Sequence, residues 1–236
     1  MDSADTNLLS KSDEYASIEA IATPQQLRSF RDYYLAMFFK PSRTFDALMA
    51  DDRWLLFGTL AVLIPAFLYT LFYFMASSVG GAPSTFKPWL AIPSEVYYHY
   101  ERFILAPSML MSWIMAAALA QLLSRLFSGR GSFEDNLSVF GLAISVAAWS
   151  LLVHDLADGF LGFIGVLDMK AYELALNTPT IWRTIFWCLS LVYFVWYMLL
   201  FSKGVRSAQR LQRGPAIFVG ITSFFVYQFV FLIFNR

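Results

Sequence analysis

Residues 54–75 read WLLFGTLAVLIPAFLYTLFYFM, twenty-two residues without a charge, and the uncharged run continues to Phe86. About 20 consecutive apolar residues carry a helix across the hydrocarbon core of a bilayer. Four further runs of spanning length follow: Phe103–Ser124, Asn136–Val153 with an extension to about Ala157, Thr184–Ser202 and Gly214–Asn235. None alternates polar with apolar residues as a membrane β-barrel strand does. Only segments that satisfy their own backbone hydrogen bonds cross lipid, so each run reads as a helix. The expected fold class is therefore an all-α membrane protein, with five transmembrane helices at about 54–75, 103–124, 137–157, 182–202 and 215–235.

Composition supports this outward from the first span. The chain is 58% hydrophobic and 18% aromatic but only 14% charged over 236 residues, against ~25% charged in soluble domains. That excludes an ordinary soluble enzyme, a disordered segment and a nucleic-acid binder. One cysteine, Cys188, excludes an internal disulfide framework and a cysteine metal cluster. No signal peptide is read in the first residues: 1–23 are polar and acidic and read as a tail.

Orientation follows from Lys and Arg beside the spans. One side receives Lys11, Arg28, Arg31, Lys40, Arg43, Arg53, Arg125, Arg130, Lys203, Arg206, Arg210 and Arg213, twelve in all. The other receives five: Lys87, Arg102, Lys170, Arg183 and Arg236. The expectation is a multi-pass inner-membrane protein with its N-terminus in the cytoplasm and its C-terminus outside. The formal charge is zero, but every Asp and Glu lies at or before Glu173, which leaves Lys203–Arg213 as a basic loop without an acid.

Between tail and first span, residues 24–53 place Leu27, Phe30 and Tyr34 at helical spacing, with a break at Pro41 and a restart at Phe45, Leu48 and Met49. This pattern predicts two short amphipathic helices at the cytoplasmic interface. On the opposite side, Ser94 is expected to cap a short helix before span two, and Asp168 to cap another that stops near Asn177. Pro65 predicts a kink in span one.

Ser112, Ala116, Ala120 and Ser124 recur every four residues along span two, and Gly141 and Ser145 repeat the spacing in span three. Small residues on one face let a neighbouring backbone approach closely, within one chain or between chains. His154 and Asp155 form an adjacent ionisable pair at a span edge. They read either as a structural contact or as a proton or ligand site.

Catalytic constellations are not found. Asp155-Leu-Ala-Asp158-Gly159 starts like the signature of the CDP-alcohol phosphotransferases, but Gly162-Phe163 stand where it requires Ala-Arg, and Tyr172, Leu176 and Thr180 replace its later Gly and Asp residues. Gly129-Arg130-Gly131-Ser132 lacks the ending of a phosphate-binding loop. No cofactor, metal or catalytic residue is expected.

In order and spacing, several short motifs resemble the Yip1 domain family in its bacterial form, over roughly Tyr34–Arg236. Pro41-Ser42-Arg43-Thr44-Phe45 is similar to the family's Pro-x-x-Thr-Phe motif before span one. Gly129-Arg130-Gly131-Ser132-Phe133, through Leu137 to Phe140-Gly141, resembles its turn into span three; Gly204-Val205-Arg206, Arg210-Leu211 and Ala216 resemble its link into the last span. The Tyr and Pro usual in the third span, and the Asp-Leu-Tyr-Gly-Pro and Tyr-Gly-Tyr-Ser motifs of eukaryotic members, are missing. The association of those members with Rab GTPases therefore does not carry over. The resemblance implies five spans; the interfacial helices, the small-residue stripe and the lack of a catalytic set point to a non-enzymatic protein that organises membrane or binds a protein partner. Its contacts would be the lipid bilayer and a membrane-protein partner or a second copy, through Lys203, Arg206, Arg210 and Arg213. The alternative is a small-molecule or ion permease component with a path beside His154 and Asp155.

Overall fold

A computed structural model describes residues 29–83, 89–90 and 92–235. The acidic tail 1–23, Pro24, Leu27, Arg28, Lys87 and Arg236 lie outside the described residues. All regular structure among the described residues is helical. α1 is Phe30–Phe39, α2 Pro41–Met49, α3 Trp54–Ser78, α4 Ser94–Leu126, α5 Phe133–Phe163, α6 Met169–Ala175, α7 Ile181–Gln209 and α8 Arg213–Phe234. Five of these, α3, α4, α5, α7 and α8, are long and apolar enough to cross a membrane. The protein is a multi-pass membrane protein.

Three of the charge-free runs, those in α4, α5 and α7, are parts of longer helices, because charge alone does not end a helix. α4 starts at Ser94, so no separate short helix precedes span two, and Ser94 is its first residue rather than its cap. Its early charges are absorbed locally: Glu101 is buried, and the Arg102 guanidinium lies over Phe74 and Phe103 at 5.0 and 4.8 Å. α7 continues through Lys203 and Arg206 to Gln209, so most of the expected basic loop is helix. Gly204, Val205, Ala208 and Gln209 turn inward there while Arg206 and Arg210 stay exposed. α3 runs unbroken through Pro65. Ser132 and Asp135 form a capping box that starts α5, and Asp168 accepts from the Ala171 N–H to start α6.

The five long helices close into a ring in the order α3, α4, α8, α7, α5 and back to α3. α3 and α5 run parallel and make the tightest pair. Gly58 and Gly141 face each other there: a methyl on Gly58 would fall on the Ser138 backbone, and one on Gly141 on the Gly58 carbonyl. Ser138 Oγ donates to the Trp54 carbonyl at 2.6 Å beside them. Ser112, Ala116, Ala120 and Ser124 are all fully buried along α4.

The helix directions give the bundle two ends. One holds α1, α2, the α4–α5 turn and the α7–α8 turn, and its described residues carry ten Lys or Arg and six Asp or Glu. It is called the basic end below. The other holds the start of α4, the end of α5, α6 and the start of α7, with three Lys or Arg and six Asp or Glu. It is called the acidic end.

Candidate functional site

At the acidic end the last turns of α5 place His154, Asp155 and Asp158 on one stretch of helix. His154 Nδ1 stands 3.2 Å from Asp155 Oδ1 and 3.2 Å from Asp158 Oδ2. Carboxylates only accept, so the proton sits on Nδ1 and the ring is held between two acids. Its other nitrogen, Nε2, is 3.0 Å from the Tyr172 hydroxyl on α6. Burial, reinforced by the negative charge of Asp158, pushes the Tyr172 hydroxyl well above the ordinary tyrosine range, so it stays protonated. One residue further on, Glu173 is buried and accepts a hydrogen bond from the Tyr98 hydroxyl of α4. The pair flagged by the sequence is thus part of a cluster drawn from three helices, α4, α5 and α6. Asp158 was legible as the i+4 neighbour of His154; Tyr172, Glu173 and Tyr98 were not, because only the fold of α6 over the bundle brings them there.

The cluster forms one end of a cavity of about 250 Å³ within the ring. All five long helices and α6 contribute to its wall, which reaches Tyr69 on α3, Met109 on α4, Leu151 on α5, Tyr197 on α7 and Gln228 on α8. Tyr193 donates to Gln228 Oε1 at 3.2 Å. The same end buries another acid that the sequence reading passed over: neither carboxylate oxygen of Glu101 has a hydrogen-bond partner among the described residues.

The basic end is built differently. Ser29 and Asp32 make a capping box that starts α1. Two adjacent tyrosines then fix the helix. The Tyr33 hydroxyl donates to Asp51 Oδ2 at 3.1 Å, and Asp51 also accepts from Arg53 Nε at 3.1 Å and Nη2 at 3.2 Å. The Arg53 guanidinium holds the Asp51 carboxyl below the ordinary aspartate range. Burial, with the Asp51 bond added, pushes Tyr33 up to about 12. Tyr34 reaches into the bundle: Trp149 Nε1 donates to its hydroxyl at 2.7 Å, and that hydroxyl shares a hydrogen bond of 2.8 Å with Ser145 Oγ. Ser145 therefore receives α1 rather than only spacing two spans.

Under α1 and α2 an amide clamp closes the bundle. Gln209 Nε2 donates to Gln121 Oε1 at 2.8 Å and to the Ser132 carbonyl at 3.1 Å, while its Oε1 accepts from the Gly131 N–H at 3.1 Å. Asn136 Nδ2 also donates to Gln121 Oε1, at 2.9 Å. Gln209 and Asn136 carried no signal in the sequence beyond being amides near span ends. Of the four basic residues expected to act together, Arg206, Arg210 and Arg213 are exposed and Lys203 is half-buried. Arg31, Lys40 and Arg43 of the α1–α2 segment are exposed at the same end. At this end α1 leaves the apolar side chains of Leu35 49% and Phe39 83% exposed.

No group of three or more His, Cys, Asp or Glu is arranged to hold a metal ion among the described residues. The family model for the Yip1 domain matches residues 35–234 of the chain. No curated protein and no solved structure matches it.

Proposed function

The chain belongs to the Yip1 domain family, and from that premise we propose that it is a non-enzymatic component that organises the inner membrane through its basic end. In this reading the basic end faces the cytoplasm and the acidic end faces outward. The observation that carries the proposal is α1: exposed Leu35 and Phe39 stand beside exposed Arg31, Lys40 and Arg43. An apolar edge flanked by cations is the arrangement by which a helix lies in a bilayer interface among anionic headgroups. The Tyr34 bonds to Ser145 and Trp149 tie that helix to the spanning bundle, so displacement of headgroups by α1 would be rigidly coupled to the spans. Arg206, Arg210 and Arg213 extend the same surface, each worth ~1 kcal/mol against an anionic leaflet.

The test is lipid enrichment around purified protein reconstituted in mixed anionic and zwitterionic vesicles. Arg206→Gln, Arg210→Gln and Arg213→Gln together, and separately Leu35→Ser with Phe39→Ser, should each reduce co-purified anionic lipid. Unchanged enrichment in both variants, with topology preserved, overturns the reading. A protein partner at the same surface would instead appear as a stoichiometric band in a pulldown that the arginine variant loses.

A further inference from the structure

The cavity at the acidic end is not used by the proposed function, and its chemistry is specific. Among the described residues no Lys or Arg lines it, while Asp155, Asp158 and Glu173 do. His154 supplies at most one positive charge, so with these acids ionised the wall carries an excess of negative charge. In a low-dielectric surround, an excess of one sign of charge is costly and is relieved by an entering counter-charge. Much of the remaining wall is aromatic, with Tyr69, Tyr73, Phe186, Trp187, Tyr193 and Tyr197 among the lining residues.

Aromatic walls bind a cation through the negative faces of their rings, and do so best when the cation is weakly hydrated, as alkylated ammonium groups are. A metal ion does not fit, since the acids are not arranged to ligate one. An anion or a phosphate meets only like charge. The volume of about 250 Å³ is just under the ~300–1,000 Å³ of pockets for drug-sized ligands, which selects a small molecule. We propose that this cavity is a binding site for a small organic ammonium cation with an apolar or aromatic substituent, its charge toward Asp155, Asp158 and Glu173 and its apolar part toward Tyr193 and Tyr197.

The probe is benzyltrimethylammonium, titrated calorimetrically into the full chain in detergent micelles, with protein-free micelles as reference. Saturable binding at least tenfold tighter than that of the uncharged isostere 2,2-dimethylpropylbenzene is expected. Asp155→Asn with Asp158→Asn should weaken binding tenfold or more. Where that double variant does not fold, Glu173→Gln should weaken it several-fold. Arg206→Gln with Arg210→Gln and Arg213→Gln should bind as the parent does, which separates this site from the basic-end surface. A lipid ammonium headgroup shares the chemistry: displacement of the probe by dihexanoylphosphatidylcholine assigns the site to lipid, and lack of displacement to a free cation. Equal affinity for the charged and uncharged probes, no saturable binding to folded parent protein, or full binding after removal of the carboxylates would each overturn the proposal.

Discussion

The two halves of the bundle are made from the same five helices and solve opposite problems. Toward the basic end the helices are pressed together, glycine on glycine between α3 and α5, and the polar groups that remain are joined by Gln209 and Gln121. Toward the acidic end the ring opens around a cavity, and polar groups such as His154, Tyr172, Glu173 and Gln228 line the space. The residue sizes explain the contrast. Gly58, Ala61, Gly141, Ala143 and Ala147 bring backbones close in the first half. Tyr69, Phe72, Tyr73, Phe186 and Trp187 hold them apart in the second. A closed half resists change and anchors the fold; an open half tolerates it.

The sharpest way to break this contrast is to add atoms to each half. Gly58→Leu should cost at least the ~3 kcal/mol at the top of ordinary overpacking and abolish monodisperse protein, because the Ser138 backbone cannot move aside. Ser190→Val, on the cavity wall, should change stability by less than about 1 kcal/mol. Size-exclusion profiles and thermal unfolding in detergent read both, and equal damage from the two would dissolve the distinction.

Removing the clamp comes next in size. Gln209→Ala strands the Gly131 N–H, and each buried group left unsatisfied costs ~1–3 kcal/mol. The unfolding midpoint should fall by several degrees, whereas Asp158→Asn at the other end, which leaves His154 still paired with Asp155, should lower it much less.

Acid titration sharpens the comparison further. Asp51 has a folded pKa below its unfolded value. Its contribution is complete above the unfolded value of ~3.9 and is lost as pH falls through the folded one. Thermal midpoints followed from pH 6 down to pH 3 should therefore drop more steeply for the parent than for Asp51→Asn. The smallest expected effect is on the exposed surface: Arg206→Gln should stay within ±0.5 kcal/mol of the parent, since Arg206 is exposed on α7.

The five spans were legible because hydropathy is a property of consecutive residues. Trp54–Ser78 and Arg213–Phe234 nearly coincide with uncharged runs. α4 and α7 outrun theirs, because a helix in contact with its neighbours keeps its form past Arg102 or Lys203. At the candidate site, His154 and Asp155 stood out as charges beside an apolar run. The docking of Tyr34 on Ser145 and Trp149 did not, since aromatic residues at helical spacing look alike whether they face lipid or protein.

By itself, then, the sequence determined that this is a helical, five-span membrane protein with unequal charge at its two ends, and its motifs pointed to the Yip1 domain family. Those are sums over neighbouring residues. Tertiary structure alone decided that Gln209 meets Gln121 across 88 positions, that Glu173 meets Tyr98 across 75, and that the ring closes at one end and stays hollow at the other. Such contacts depend on which helices become neighbours, and close approach of backbones at Gly58 and Gly141 governs that more than any local pattern of polarity.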